Sequence, residues 1–227
     1  SRTERLAGLG RVAAGVAHEI RNPIAAARLQ GENGLAGDEA RCREAIREML
    51  DQIERLDTLV GELLAMTQRA DPHPVTVDVG MFLGAQAARH QAVSGARRVA
   101  IVVQGGVGTA KFDPAMIGRV MDNLLANAIR HAPEGGKVNV AAERTSGMLT
   151  ITVEDTGLGV PLHLAERLFE PFVTGRAEGT GLGLAIAREL ADAHGGRLEL
   201  RRAGGEVPGK GAQFALELPQ EVLCRSS

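Results

Sequence analysis

The chain has 227 residues, enough for one or two domains, and its 44% hydrophobic and 24% charged residues are typical of a folded globular protein. A net charge of -2, only 2% aromatic residues and no basic run make nucleic acid an unfavourable partner. With two distant cysteines, Cys42 and Cys224, and no apolar stretch long enough for a bilayer, we expect this fragment to be cytoplasmic.

The front of the chain reads as two helices. The first begins within the opening residues, which indicates that the chain is part of a longer polypeptide. A glycine-containing segment, residues 31–38, predicts the turn between the helices. The apolar stripe of the first helix is formed by Leu6, Leu9, Ala13, Val16, Ile20 and Ala27. That of the second is formed by Ile46, Met49, Ile53, Leu56, Val60, Leu63 and Thr67.

A single antiparallel hairpin leaves apolar surface uncovered on both helices. A second copy of the chain covers it most simply, as a four-helix bundle around a twofold axis. The sequence therefore predicts a homodimer.

Two prolines, Pro72 and Pro74, end the helical part. We expect a helical domain over residues 1–71, a linker over 72–76, a second domain over 77–222 and a tail over 223–227. In the second domain, alternating or apolar runs predict strands over residues 99–103, 137–142, 149–153, 197–200 and 213–218. Helical patterns cover residues 80–91, 114–131 and 183–194. The expected fold class is α+β, a helical hairpin followed by an α/β sandwich with a mixed sheet.

A motif with nucleophile chemistry lies in the first helix. It reads His18-Glu19-Ile20-Arg21-Asn22-Pro23. Neutral imidazole is a nucleophile near pH 7, and Glu19 beside it can hold the other ring nitrogen. Pro23 predicts a loosened or kinked helix at this point. An ordinary surface histidine is the alternative, whereas a zinc protease is excluded because position 22 is not His.

The helix over residues 114–131 carries a polar stripe. Asn123, Asn127 and His131 follow one another at four-residue steps, and Arg130 lies beside them. Amide oxygens suit Mg²⁺, and an arginine suits a phosphate oxygen. A water-exposed helix face explains the same residues if they are taken alone.

Two glycine-rich stretches follow the polar helix. They read Asp155-Thr156-Gly157-Leu158-Gly159 and Gly179-Thr180-Gly181-Leu182-Gly183. Glycines allow close approach of a ligand, an acidic residue at the end of a strand can accept the amino hydrogens of adenine, and a helix start can face phosphates. An Asx turn and a flexible loop are the separate alternatives. Taken together, the three segments favour one pocket for ATP with Mg²⁺.

These motifs resemble the catalytic core of two-component sensor histidine kinases, in their order along nearly the whole chain. The His18 motif resembles the phosphoacceptor box, residues 123–131 the asparagine box, and the two glycine stretches the glycine boxes. Leu168-Phe169-Glu170-Pro171-Phe172 resembles the phenylalanine box. The resemblance implies a Bergerat-type ATP-binding domain, autophosphorylation of His18, transfer to an aspartate on a response regulator receiver domain, and a sensor region upstream of this chain.

The resemblance also implies roles for single residues. Asn127 is expected to bind Mg²⁺, with Asn123 in support, and Arg130 to contact phosphate. Asp155 is expected to read adenine. Glu19 is the expected general base, and Asn22 is expected to position a water that dephosphorylates the regulator. The nucleotide contacts so implied also include His131, Gly157, Gly159, Gly179, Thr180, Gly181 and Gly183.

The chain departs from many members of the family in its short ATP lid of residues 173–178, which resembles that of the nitrogen-regulation subfamily. Arg176 in this lid is expected to meet the terminal phosphate. Two other functions stay open at this point, a Bergerat ATPase clamp and a non-catalytic dimeric scaffold. The signal, the cognate regulator, phosphorylation within or across the dimer, the balance of kinase and phosphatase, and membrane anchoring of the parent protein are not determined by the sequence.

Overall fold

The computed structural model describes residues 2–67, 70–145, 147–174, 179–204 and 209–220. Within these ranges, the side chains of residues 2–14, 18, 65 and 67 are not described. The chain divides into two compact units, residues 1–68 with 171–182, and residues 69–170 with 183–227. In the described part of the chain, no helix has both the length and the apolarity needed to cross a membrane.

The first unit contains the predicted helical hairpin, α1 (Arg2–Leu35) and α2 (Glu39–Thr67). The predicted turn over residues 31–38 was too long, because α1 continues through Gly31 and Gly34. A methyl group at Gly34 would lie only 2.7 Å from the Cβ of Ala45. Gly34 therefore allows the helices to pack closely and does not break α1. The helix also continues past Pro23.

The apolar residues of α2 occupy a wider arc than the single stripe predicted from their spacing. Ala45 and Leu59 are buried, at 7% and 2% exposed. Other large apolar side chains of α2 remain more than 40% exposed, and these are Ile46, Leu50, Ile53, Val60 and Leu64. Since Ile46, Ile53 and Val60 recur at seven-residue steps, α2 presents a second apolar surface beyond the one it buries within the unit.

The second unit is built on a five-stranded sheet in the order β2-β4-β5-β7-β6. Its strands are β2 (Ala100–Gln104), β4 (Lys137–Thr145), β5 (Met148–Asp155), β6 (Arg197–Arg202) and β7 (Gln213–Pro219). Strands β2 and β4 are parallel and the other neighbours are antiparallel, so the predicted mixed sheet is confirmed. A separate antiparallel pair, β1 (Val75–Asp78) and β3 (Thr109–Phe112), was not predicted.

The second unit also contains helices, and several of them pack against the sheet. The helices are α3 (Val79–Arg89), α4 (Gln91–Ala96), α5 (Pro114–His131), α6 (Leu162–Ala165) and α7 (Gly183–Ala193). The short helices α4 and α6 were not predicted, whereas α5 has the predicted bounds. The core side chains of α5 and the sheet are almost fully buried, and they include Ile117, Val120, Leu124, Val140, Ile151 and Leu216. The predicted fold class, a helical hairpin followed by an α/β domain, is confirmed.

Candidate functional site

Helix α5 presents the polar stripe, and Asp113 fixes where this helix begins. Its Oδ1 accepts hydrogen bonds from the backbone N–H groups of Ala115 at 2.9 Å and Met116 at 3.1 Å. Its Oδ2 accepts a third from the N–H of His73 at 3.0 Å. Burial acts to raise the pKa of Asp113, but these hydrogen bonds hold the pKa below its ordinary value. The ionised carboxylate is an N-cap for the helix that carries both asparagines.

The asparagines of the polar stripe, Asn123 and Asn127, are both half-buried. The Nδ2 of Asn123 donates to the carbonyl of Arg119 at 3.1 Å, so this side chain folds back onto its own helix. A methyl group at Gly183 would come 2.6 Å from the Oδ1 of Asn123. Asn123 therefore lies against the first residue of α7, and only a glycine leaves it that room.

Asp155 lies at the end of β5 and is 3% exposed. Its Oδ1 accepts a 2.7 Å hydrogen bond from the backbone N–H of Gly157. Burial raises the pKa of Asp155, although the backbone N–H groups of Gly157 and Ala212 act to lower it. A buried carboxylate with remaining acceptor capacity is suited to a ligand that brings N–H donors.

The turn after Asp155 approaches the end of α5. A methyl group at Gly157 would lie within contact distance of the carbonyl oxygen of His131. The structure thus brings the predicted first glycine box beside the last residue of the polar helix. The side chains of Arg130 and His131 are exposed there, and the carbonyl of Arg130 accepts a hydrogen bond from Nη2 of Arg97 at 3.1 Å.

Position 159 requires a glycine for two reasons. Its φ is 80°, in the left-handed region, and a methyl group there would overlap the carbonyl oxygen of Ala203. The next residue, Val160, donates its N–H to that same carbonyl at 2.6 Å. The chain after the glycine box is therefore fixed to the segment that follows β6.

The backbone on the other side of Asp155 was not predicted from the sequence to belong to the site. The N–H of Gly211 donates to the carbonyl of Asp155 at 2.9 Å, and the N–H of Asp155 donates to the carbonyl of Ala212 at 3.1 Å. A methyl group at Gly211 would overlap the Oδ1 of Asp155. The signal was present as a further Gly-x-Gly, Gly209-Lys210-Gly211, just before the last predicted strand.

The second predicted glycine stretch is divided between the units. Gly183 begins α7 in the second unit, as predicted, whereas Gly179, Thr180 and Gly181 belong to the first. Within the first unit, the carbonyl of Gly181 accepts a hydrogen bond from the N–H of Phe172 at 3.1 Å. Arg176 lies outside the described residues, so its predicted contact with phosphate stays a prediction.

The phosphoacceptor motif lies in α1. The side chain of His18 is outside the described part, Glu19 is half-buried and Asn22 is exposed. On a helix, Asn22 follows His18 by one turn on the same face. The roles assigned to these three residues stay predictions.

The residues of the second unit fit an adenine nucleotide as ligand. They combine a buried carboxylate, an amide side chain that lies against the start of α7, and glycines placed where the backbone leaves no room for side chains. Amide and carbonyl oxygens are also suitable ligands for Mg²⁺ when phosphates supply the remaining ones.

Comparison with known proteins gives two family matches. Residues 9–72 match the His Kinase A (phospho-acceptor) domain. Residues 112–222 match the histidine kinase-, DNA gyrase B-, and HSP90-like ATPase family.

Relatives match along nearly the whole chain. The sensor histidine kinase ZraS of Escherichia coli strain K12 is 32% identical over 227 residues, covering 97% of this chain and 48% of ZraS. The alginate biosynthesis sensor protein KinB of Pseudomonas aeruginosa is 35% identical over 214 residues, covering 89% of this chain and 35% of KinB. The chain thus spans about half the length of ZraS and a smaller share of KinB.

Solved structures give the same result for the fold. Histidine kinase ThkA, solved in complex with the response regulator protein TrrA, matches with a TM-score of 0.79 and 26% identity over 99% of this chain and 66% of ThkA. Histidine kinase AdeS of Acinetobacter baumannii matches with a TM-score of 0.72 and 23% identity over 90% of this chain and 98% of the AdeS chain.

Proposed function

We infer that this chain, which belongs to the sensor histidine kinases, transfers the γ-phosphoryl group of ATP to His18 and then to an aspartate of a response regulator. The observation that carries the proposal is the buried Asp155 carboxylate, held by Gly157 and closed by Gly211, in a chain that also matches the phosphoacceptor domain. We assign the phosphoacceptor and dimerisation part to residues 1–71 and the ATP-binding part to residues 77–222.

In this proposal, the protein first orients ATP. Asp155 accepts the amino hydrogens of adenine, and the backbone glycines allow the nucleotide to approach. Asn127 would hold Mg²⁺, with Asn123 fixing the neighbouring helix start and Arg130 pairing with phosphate. Bound Mg²⁺ neutralises charge on the phosphate oxygens.

His18 then acts as the nucleophile. One ring nitrogen attacks the γ-phosphorus, forming an N–P bond while the bond from that phosphorus to the bridging oxygen breaks, and ADP leaves with the electron pair. Glu19 accepts the proton from the other ring nitrogen, so the phosphorylated imidazole is left neutral and not cationic. The products are phosphohistidine and ADP.

The second transfer moves the phosphoryl group from His18 to an aspartate carboxylate of a receiver domain, breaking the N–P bond and forming an acyl phosphate. The ThkA structure with TrrA supports a response regulator as the partner. We also propose that Asn22 positions a water for dephosphorylation of the regulator. The exposed apolar residues of α2 support a homodimer, since a second copy would cover them.

The test is incubation of the chain with Mg²⁺ and γ-labelled ATP, followed by acid and base treatment. We expect label that is lost in acid and kept in base, as for a phosphoramidate, in the wild type and none in His18→Gln. His163→Gln is the matched control, because His163 is an exposed histidine elsewhere and should keep full labelling.

The outcomes separate the alternatives. Label retained in His18→Gln would contradict the assignment of the acceptor. ATP hydrolysis without any phosphohistidine would favour the clamp ATPase, and failure of the wild type to bind ATP would favour the scaffold.

A further inference from the structure

The position of the Asp155 carboxylate depends on backbone from another strand. Gly211 and Ala212 exchange two hydrogen bonds with the backbone of Asp155, at 2.9 and 3.1 Å. Gly211 is so close to the carboxylate that a methyl group there would overlap its Oδ1. The backbone of Gly211 therefore lies directly against the carboxylate.

Arg202 at the end of β6 ties this backbone to the residue before Asp155. Its Nη2 lies 2.5 Å from Oε1 of Glu154. Its Nε donates to the carbonyl of Gly211 at 3.4 Å. The other carboxylate oxygen of Glu154 accepts from Nε2 of Gln213 at 3.2 Å. One guanidinium thus links two residues that each adjoin the functional carboxylate.

This link is partly shielded from water. The side chain of Arg202 is 31% exposed and that of Glu154 is 21% exposed. Ion pairs that lose part of their hydration are less screened by solvent than pairs on the surface. The neighbouring cation, Arg201, instead pairs with Glu217 at 2.7 Å and Glu199 at 3.5 Å, further along β6 and β7.

A local irregularity places Arg202 here. The pairing of β6 with β7 shifts between Leu200 and Arg202, so that Arg202 lies opposite Gln213. Such a bulge redirects the side chains that follow it, and bulges are frequent beside functional sites. Without the shift, Arg201 would lie opposite Gln213, and Arg202, one residue further along, would point to the other face of the sheet.

We propose that Arg202 is a positioning residue for nucleotide recognition, which clamps Glu154 to the carbonyl of Gly211 and so holds the backbone of Gly211 against the Asp155 carboxylate. The proposal rests on the proposed function, in which Asp155 accepts the amino group of adenine. Arg202 acts through Asp155 and touches no reacting group.

The pH dependence of ATP affinity distinguishes this positioning role from a purely structural one, because charged residues near Asp155 shift its pKa. Burial raises the pKa of Asp155, Glu154 raises it further, and Arg202 lowers it. An ionised carboxylate is the stronger acceptor, so ATP affinity should fall as the pH falls through this pKa. Removing Arg202 should move that fall to higher pH, whereas removing the charge of Glu154 should move it to lower pH.

The experiment measures Mg²⁺-ATP affinity by calorimetry across a pH series for the wild type, Arg202→Met, Arg202→Lys and Glu154→Gln. We expect about tenfold weaker binding for Arg202→Met, on the order expected for one lost charge-assisted contact. Arg202→Lys should restore the pH dependence but only part of the affinity, because it keeps the charge and loses the fork geometry. Glu154→Gln should weaken binding and shift the pH dependence in the opposite direction.

Arg201→Met is the matched control and should bind as the wild type does. Wild-type affinity and pH dependence in Arg202→Met, or an equal loss in Arg201→Met, would overturn the proposal. If circular dichroism shows that Arg202→Met is unfolded, the ATP affinity and pH dependence of Arg202→Lys and Glu154→Gln test the proposal instead. Full ATP affinity in Asp155→Asn would overturn the proposed role of Asp155. Weak ATP binding in Asp155→Asn together with normal binding in Arg202→Met would overturn only the role of Arg202.

Discussion

Substitution of Gly211 by alanine tests how tightly the backbone closes on the buried carboxylate. The added methyl group would overlap Oδ1 of Asp155 and lie 2.7 Å from the backbone nitrogen of Gly157. Gly211 is not among the glycines with positive φ, so alanine suits the backbone itself and the perturbation is steric. The carboxylate must turn away and lose the 2.7 Å hydrogen bond from Gly157.

The magnitude follows from these contacts. Losing a hydrogen bond to a charged group costs about 1.5–3 kcal/mol, and crowding a packed interior costs about 1–3 kcal/mol. Together these costs predict that the free energy of unfolding of Gly211→Ala falls by about 2.5–6 kcal/mol. Because the displaced carboxylate no longer meets adenine, ATP affinity should also fall by about 10- to 100-fold.

The assay combines denaturant unfolding with calorimetric titration of Mg²⁺-ATP. Gly106→Ala is the matched control, because a methyl group at Gly106 meets nothing within 4 Å and should change neither quantity. A folded Gly211→Ala protein that binds ATP within twofold of the wild type would refute the reasoning.

Three further predictions concern other residues. Asp113→Ala should lower the free energy of unfolding by about 2–3 kcal/mol in denaturant titration, since Asp113 accepts three backbone hydrogen bonds, including two at the start of α5. Because the pKa of Asp113 is lowered by folding, its contribution is present above its unfolded pKa and lost as the pH falls through the folded one, so the variant should lose its disadvantage in acid. Ile53→Glu, on the exposed apolar surface of α2, should make the proposed dimer monomeric in sedimentation, and a variant that is a dimer of unchanged stability would contradict that assignment. Asn22→Ala should keep His18 phosphorylation but slow release of phosphate from a labelled regulator at least tenfold, about 1.4 kcal/mol in the barrier, and an unchanged rate would exclude its role.

Helix α5 was predictable in full because its signals are local. Asp113 and Pro114 are an N-cap and a favourable first residue, and Pro133 follows its end. The five strands of the main sheet were also found, since each has an apolar or alternating pattern of its own. The pair β1 and β3 was missed because strands of four residues carry too little pattern and depend on a partner distant in the chain.

The extent of the helical turn could not be predicted from glycine content. Glycine is permissive in many conformations, and the same residue that ends a helix also lets two helices approach. At Gly34 the second use applies, because Ala45 packs against it. The sequence located the turn, and the packing of the hairpin decided where α1 ends.

The sequence by itself determined the order of the motifs, the helix with its two asparagines and the carboxylate at the end of β5, because each depends on residues close together in the chain. Only the tertiary structure decided what closes around that carboxylate. Gly211 reaches Asp155 through the pairing of β7 with β5. Arg202 reaches Glu154 and Gly211 through the pairing of β6 with β7 and the shift between Leu200 and Arg202. Strand register is set by the burial of whole faces of the sheet, and no local pattern near position 155 contains that information.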